Sequence, residues 1–223
     1  PKLYLAASKA GMLSPEGRCH SFDSRADGFV PGEGAGVLVL RCLSDALAAG
    51  DTVHGVIAGS ATNHDGLTNG ITAPSPTSQA ALIKRLYARA GVKPENIQLL
   101  EAHGTGTQLG DPIEFEALSA VFGATGNGHC ALSSIKTNIG HSQFAAGIAG
   151  VQKTLLALHE DRIPGSRNFT KTNAKIALNA RPFRVVTASE HWPRQAGRLA
   201  AVSSFGASGT NAHVLISDAP KQP

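Results

Sequence analysis

The stretch "NIQLLEAHGTGTQLGDPIE", residues 96–114, decides the fold. An apolar run short enough for a buried strand (96–102) delivers His103 at its C-terminal end, and a glycine- and threonine-rich turn follows. Asp111 as N-cap and Pro112 at the first helical position predict a helix running to Gly123, because proline's fixed φ and missing N–H suit a first turn. Strand, glycine turn, helix is the repeating unit of an α/β sheet. In such sheets ligand sites lie beyond the C-terminal ends of the strands.

The same alternation continues on both sides. "VLVLRC" (37–42) reads as a short buried strand, and "LSDALAAG" as a helix stopped by Gly50. "VHGVIAGSATN" (53–63) is a second strand candidate, and the loop "HDGLTNGITAPSP" leads into a helix capped by Thr77 or Ser78. That helix carries Leu82, Leu86 and Ala90 on one face and ends at Gly91. "HCALSSIKTN" (129–138) is expected to be a strand ending at Lys136. Residues 142–160 form a helix apolar on most faces, of the kind buried in the middle of a protein. After an irregular stretch (161–182) come strands at 183–188 and 199–205, then a glycine turn and a hairpin return at 212–217. From residue 53 on, the order β-α-β-α-β-α-β-β-β implies a sheet with helices packed on it.

Composition narrows the function classes. The 223 residues are 42% hydrophobic and 16% charged, a folded chain with room for one good core or two small ones. No apolar run is long enough to span a membrane, and the start is not a signal peptide. The net charge is +4, but Lys and Arg are scattered, which gives nucleic-acid binding little support and leaves an acidic protein partner as the fit for a mildly basic face. Cys19, Cys42 and Cys130 are odd in number and widely spaced, neither a CxxC site nor a disulfide framework, so a reducing cytoplasm is the default.

Three segments share a chemical shape: His103 in "AHGTGT", Lys136 to His141 in "KTNIGH", and "SSFGASGTNAH" from Ser203 to His213. Their glycines admit a substrate close to the backbone, and two histidines at strand ends can jointly donate to a carbonyl oxygen that becomes negative. A nearby lysine would tune the charge state of both. The blander reading, structural or surface histidine, holds for His20, His54, His129, His159 and His191, and it competes for His103 as well. The absence of HExxH and of ligand spacing around His103 and His141 argues against zinc. "GEGAG" and "GTGTQLG" lack the dinucleotide order, and Ser208 in "GASGT" precedes a strand where a hydrolase elbow needs a helix.

Taken in order, "EAHGTGTQLGDPIE", "SSIKTNIGH...AAGIAGV" and "VSSFGASGTNAHVLI" resemble the second half of a β-ketoacyl synthase, more narrowly a ketosynthase domain of a modular polyketide synthase. "GRCHSFDSRADGFVPGEGAGVLVL", "SATNHDGLTNGITAPS" and the "IP...NF" stretch agree, so the resemblance covers essentially the whole chain. It implies a thiolase-like α/β fold, layered α/β/α with a mixed sheet. Residues 1–51 would be the tail of the N-terminal half, 52–218 the C-terminal half, and 219–223 the start of a linker. The implied reaction is decarboxylative Claisen condensation of a carrier-bound malonyl-type extender with a cysteine-bound acyl chain.

By the same resemblance His103 and His141 stabilise the enolate, Lys136 sits beside them, and Glu114 is its ion-pair partner. Thr105 and Thr107 would hold the phosphopantetheine arm, while Phe205, Gly206 and Ala207 would form the oxyanion hole at the acyl entrance. No cofactor binds directly; substrates arrive on the phosphopantetheine of acyl carrier proteins, and the complete enzyme is a homodimer in the cytoplasm. Two departures stand out. Nothing matches the "TACSSS"-like turn of the nucleophile, so the reactive cysteine belongs to an N-terminal half and the chain alone is expected to be inactive. Ala207-Ser208 stands where many members read Phe-Gly, which widens the acyl entrance and suggests a synthase served by a separate acyltransferase. A non-elongating ketosynthase and a non-catalytic carrier-docking fragment are the competing readings.

Overall fold

The computed structural model describes residues 2–68, 70, 73–123, 126–178, 182–194 and 197–220. Parts of several expectations lie outside them, among them residue 1 of the 1–51 segment, the loop residues 69, 71 and 72, residues 179–181 of the irregular stretch and the end of the 219–223 linker. The chain opens with helix α1 (Lys2–Lys9), a long loop and a short α2 (Leu43–Ala48). It continues through β1 (Val56–His64), α3 (Pro76–Ala90), β2 (Leu99–Glu101), α4 (Gly110–Phe122), β3 (Cys130–Ser133), a helical turn α5 (Lys136–Ile139) and α6 (Ala146–His159). Five strands close it: β4 (Arg162–Ile163), β5 (Phe183–Val185), β6 (Glu190–His191), β7 (Leu199–Phe205) and β8 (Thr210–Ser217).

Six strands form one mixed sheet in the order β1-β8-β7-β2-β3-β5, and β4 pairs with β6 in a separate ribbon. The β7-β2-β3-β5 part is parallel, with Glu101 level with both Val202 and Ser133. The β7/β8 hairpin and the β1/β8 pair are antiparallel. Because β2, β3 and β7 run the same way, their C-terminal ends open at one edge. All three chemical segments start there.

Apolar patterning accounts for the layers. Every residue of β2 and β3 is buried, as in strands covered on both faces. Leu82 and Tyr87 are among the buried residues of α3, Phe115 and Leu118 among those of α4, and Ile83, Leu86 and Tyr87 cluster with Leu100, Leu132 and Leu215 on one side of the sheet. Ala157 and Leu158 of α6 pack on the other side with Leu99, Ala131, Ala200 and Trp192. Close approach of α6 depends on glycine: a Cβ at Gly150 would lie 3.1 Å from Val202 and 3.2 Å from Glu101. Behind α6, the buried Arg198 guanidinium donates to Asp218, to Asp161 and to the carbonyls of Leu158 and Trp192, and it lies 5.2 Å from the Trp192 ring centroid.

Several boundaries differ from the sequence reading, each for a physical reason. Ser75, not Thr77 or Ser78, caps α3: its hydroxyl accepts the Ser78 N–H (3.1 Å), and Pro76 then takes the first helical position. Asp111 is not the N-cap of α4 but a buried residue of its first turn, and Leu109 stands at the cap without a side-chain hydrogen bond. The strand expected to reach Lys136 stops at Ser133, and Lys136 starts the helical turn α5. Residues 37–42 form no strand: among the described residues they have no ladder partner, and Val37, Val39 and Leu40 are 81%, 94% and 71% exposed. The helix α6 is not buried all round: Gly150, Thr154, Ala157 and Leu158 are buried, while Leu156 is exposed.

Candidate active site

The two histidines meet at the open edge of the sheet. His103 leaves β2 and His141 follows Gly140, and their ring centroids lie 5.4 Å apart with planes at 82°. Each ring is oriented by a backbone amide. The Phe205 N–H donates to His103 Nδ1 (3.3 Å), and the Gln143 N–H donates to His141 Nδ1 (3.1 Å). A nitrogen that accepts an N–H carries no proton, so both neutral rings hold theirs on Nε2. Two Nε2–H donors result.

Their neutrality has a cause. Burial, followed by the Lys136 charge and the neighbouring His141, holds His103 well below the usual imidazole range. Burial and then Lys136 bring His141 down to about 3. Lys136 is itself buried at 3% exposure and donates from Nζ to the His103 carbonyl at 2.5 Å. Burial lowers its pKa, and the carboxylates of Glu101, Glu114 and Asp111 work in the opposite direction, with the Cys19 thiol.

Glu114 is not the direct ion-pair partner of Lys136. Its two oxygens accept the N–H groups of His103 (2.8 Å) and Gly104 (2.7 Å), which clamps the backbone that carries the His103 ring. Asp111 acts the same way one turn away: its carboxylate accepts the N–H groups of Phe22 (2.6 Å) and Gly106 (3.0 Å). Burial pushes the Asp111 carboxyl up to about 6, against those hydrogen bonds. The DPxE order therefore serves the turn as a pair of backbone hooks.

The first loop supported the family resemblance, but no site residue was expected from it. Ser21 Oγ donates to the Gly104 carbonyl (2.6 Å), Gly28 N–H to the Gly106 carbonyl (3.0 Å), and His141 N–H to the Val30 carbonyl (2.7 Å). Phe29 packs edge-on against His141 with centroids 5.0 Å apart. Gly140 is required here: its φ is 77°, and a Cβ would lie 2.9 Å from the Val30 carbonyl oxygen. The signal that could have found this loop was its own glycine content beside the histidine turns.

Comparison with known proteins covers nearly the whole chain. The model for the β-ketoacyl synthase C-terminal domain matches residues 54–170, that for the N-terminal domain residues 1–46, and that for the ketosynthase C-terminal extension residues 173–223. The chain belongs to the β-ketoacyl synthase family. It is 51% identical over 224 residues to a component of the phenolphthiocerol/phthiocerol polyketide synthase of Mycobacterium tuberculosis, covering 99% of this chain and 12% of that protein. It is 50% identical over 222 residues to the polyketide synthase PksL of Bacillus subtilis, covering 98% of this chain and 5% of that one. Among solved structures, the module 6 ketosynthase of the Bacillus subtilis bacillaene synthase superposes with a TM-score of 0.95 at 49% identity, over 99% of this chain and 40% of its own. The Streptomyces albus oxazolomycin ketosynthase domain superposes equally well, with a TM-score of 0.95 at 39% identity over 100% of this chain and 41% of its own. The fold is thus thiolase-like, and the chain spans about two fifths of the solved ketosynthases it matches.

Within this ketosynthase segment the remaining residues fall in three places. Thr105 and Thr107 are half-buried and joined through their hydroxyls (3.0 Å), and Thr107 Oγ1 also accepts the Gly110 N–H (3.0 Å). Of the three residues expected at an oxyanion hole, Phe205 spends its amide on His103, and Gly206 donates to the Thr210 carbonyl (2.7 Å). Among the described residues the exposed Ala207 has no such hydrogen bond for its amide. The cysteines stand apart in character: Cys19 and Cys130 are buried, and burial pushes both thiols up, whereas Cys42 is exposed at the start of α2. No group of three metal-capable side chains occurs among the described residues, and none of their helices is long and apolar enough to cross a membrane.

Proposed function

We propose that this segment supplies the decarboxylation half of a ketosynthase active site. The observation that carries the reading is the matched pair of Nε2–H donors on His103 and His141, each fixed by a backbone amide on Nδ1. A malonyl-type thioester bound between them loses CO2 as its C–C bond electrons move into the thioester carbonyl. The oxygen that gains charge accepts both N–H groups. Neither imidazole needs to gain or lose a proton, which suits rings kept neutral by burial and by Lys136. The enolate then attacks an acyl thioester, and the thiolate leaves as the new C–C bond forms.

The acyl thioester sits on a cysteine in an N-terminal half, outside these 223 residues. The Ala207 amide is the donor left for the acyl carbonyl, and Thr105 and Thr107 line the approach of the phosphopantetheine arm. Both substrates come from acyl carrier proteins. The exposed Val37, Val39 and Leu40 run is the edge on which the N-terminal half completes its sheet, and the complete domain pairs as a homodimer. Polyketide assembly of this kind belongs in the cytoplasm. The small side chain at Ala207 leaves a wide acyl entrance, suited to bulky intermediates in a synthase served by a separate acyltransferase.

Acylation tests this division of labour. Incubated with an acyl-pantetheine thioester, the 223-residue chain alone should show no mass increase, whereas the complete ketosynthase should gain one acyl group. A thioester adduct on Cys19, Cys42 or Cys130 would place the nucleophile inside this segment and overturn the reading.

A further inference from the structure

Below the histidines lies a charge pair that the reaction described above does not use. Glu101, the last residue of β2, is buried, and its Oε1 accepts the Ile135 N–H. Its Oε2 accepts from Lys153 Nζ of α6 at 2.7 Å, and the same ammonium donates to the Ser133 hydroxyl at the end of β3. The two residues are far apart in sequence. The parallel register that sets Glu101 level with Ser133 brings them together, and Gly150 one turn earlier on α6 leaves room for the Glu101 stem.

This pair touches the catalytic turn from beneath. Ile135 immediately precedes Lys136, so the Glu101 carboxylate holds the amide at which α5 begins. Among the charges acting on Lys136, Glu101 comes first, ahead of Glu114 and Asp111 on α4 and Cys19 on the first loop. On its other side Lys136 meets His103 and His141. Lys153 therefore decides how much of the Glu101 charge Lys136 feels.

We propose that Lys153 and Glu101 are positioning residues of the ketosynthase reaction: the α6 lysine neutralises the β2 carboxylate and thereby sets the charge state of Lys136 under the histidine pair. With Lys153 in place, the carboxylate is balanced and Lys136 keeps a lowered pKa. Without it, an unbalanced carboxylate faces Lys136 and favours its protonated form. Removing the carboxylate instead takes away the first of the negative charges acting on Lys136 and leaves the Lys153 ammonium unbalanced, which favours loss of the Lys136 proton. The two changes act in opposite senses although both break the same ion pair.

That opposition supplies the test, which rests on the decarboxylating role of the site. In the complete ketosynthase, CO2 release from a malonyl-pantetheine thioester is measured against pH for wild type, K153M, E101Q, K153R and the K153M/E101Q double variant. The alkaline midpoint should move up in K153M and down in E101Q, each by about one pH unit, as expected for a charge at this range. The double variant should return toward the wild-type midpoint, and K153R should stay near it. Reduced rates with an unmoved midpoint, or shifts of the same sign in K153M and E101Q, would reduce the pair to a structural tie and overturn the proposal. A wild-type enzyme that releases no CO2 would instead overturn the functional reading itself.

Discussion

Replacing His141 with alanine in the complete ketosynthase should slow CO2 release from a malonyl thioester by about 10²–10³-fold, the cost of removing one preorganised donor from a developing oxyanion. The fall should appear at saturating extender, because the Nε2–H bond strengthens when charge reaches the oxygen and not before. His141 is the cleaner of the two substitutions. Its Nδ1 partner, the Gln143 N–H, lies in a half-buried turn beside solvent-facing Phe144, whereas removing His103 also strands the Phe205 amide at the end of β7. His141→Ala should therefore fold as wild type does, with its loss confined to turnover. A fall below about tenfold, less than a single catalytic group usually contributes, would mean that His141 does not face the reacting oxygen.

Arg198→Ala should cost roughly 3 kcal/mol of stability, the lower end of what breaking one side of a buried ion pair costs. Asp161 and Asp218 are partly exposed and can regain water, so the loss falls mainly on the buried carbonyls of Leu158 and Trp192 and on the stacked indole. Arg198→Lys should recover little, because a single ammonium cannot serve four acceptors in the plane of a guanidinium fork. Chemical denaturation of the complete domain measures both. A loss under about 1 kcal/mol in Arg198→Ala, the value typical of a surface pair, would show that the network is replaceable by solvent.

Local chemistry was legible wherever a residue's own backbone preference decided its conformation. The β7/β8 hairpin follows from alternating strands around Gly206 and Gly209, and the end of α3 from Gly91 in the left-handed region at φ 64°. His103, Lys136 and His141 could be named from their motifs, and the structure brings all three together. What the sequence hid was decided by distant partners. Residues 134–136 read as a continuing strand, yet a buried carboxylate from β2 takes the Ile135 amide and Lys136 turns back to the His103 carbonyl, so the chain coils. Asp111 looked like a cap because Asp-Pro so often is one; its acceptors were instead claimed by Phe22, 89 residues away, and by Gly106. Residues 37–42 have the composition of a strand, but composition cannot supply a neighbouring strand.

The proposed decarboxylation depends on two neutral imidazoles with their protons on Nε2. Nitrogen NMR of the complete ketosynthase, with ¹⁵N-labelled histidine and assignment through the His103→Ala and His141→Ala variants, reads protonation and tautomer directly. Between about pH 6 and 8, the span in which an unperturbed histidine titrates, both rings should remain neutral, with Nδ1 unprotonated and Nε2 bearing the hydrogen. An imidazolium at either residue, or a proton on either Nδ1, would contradict the paired-donor site.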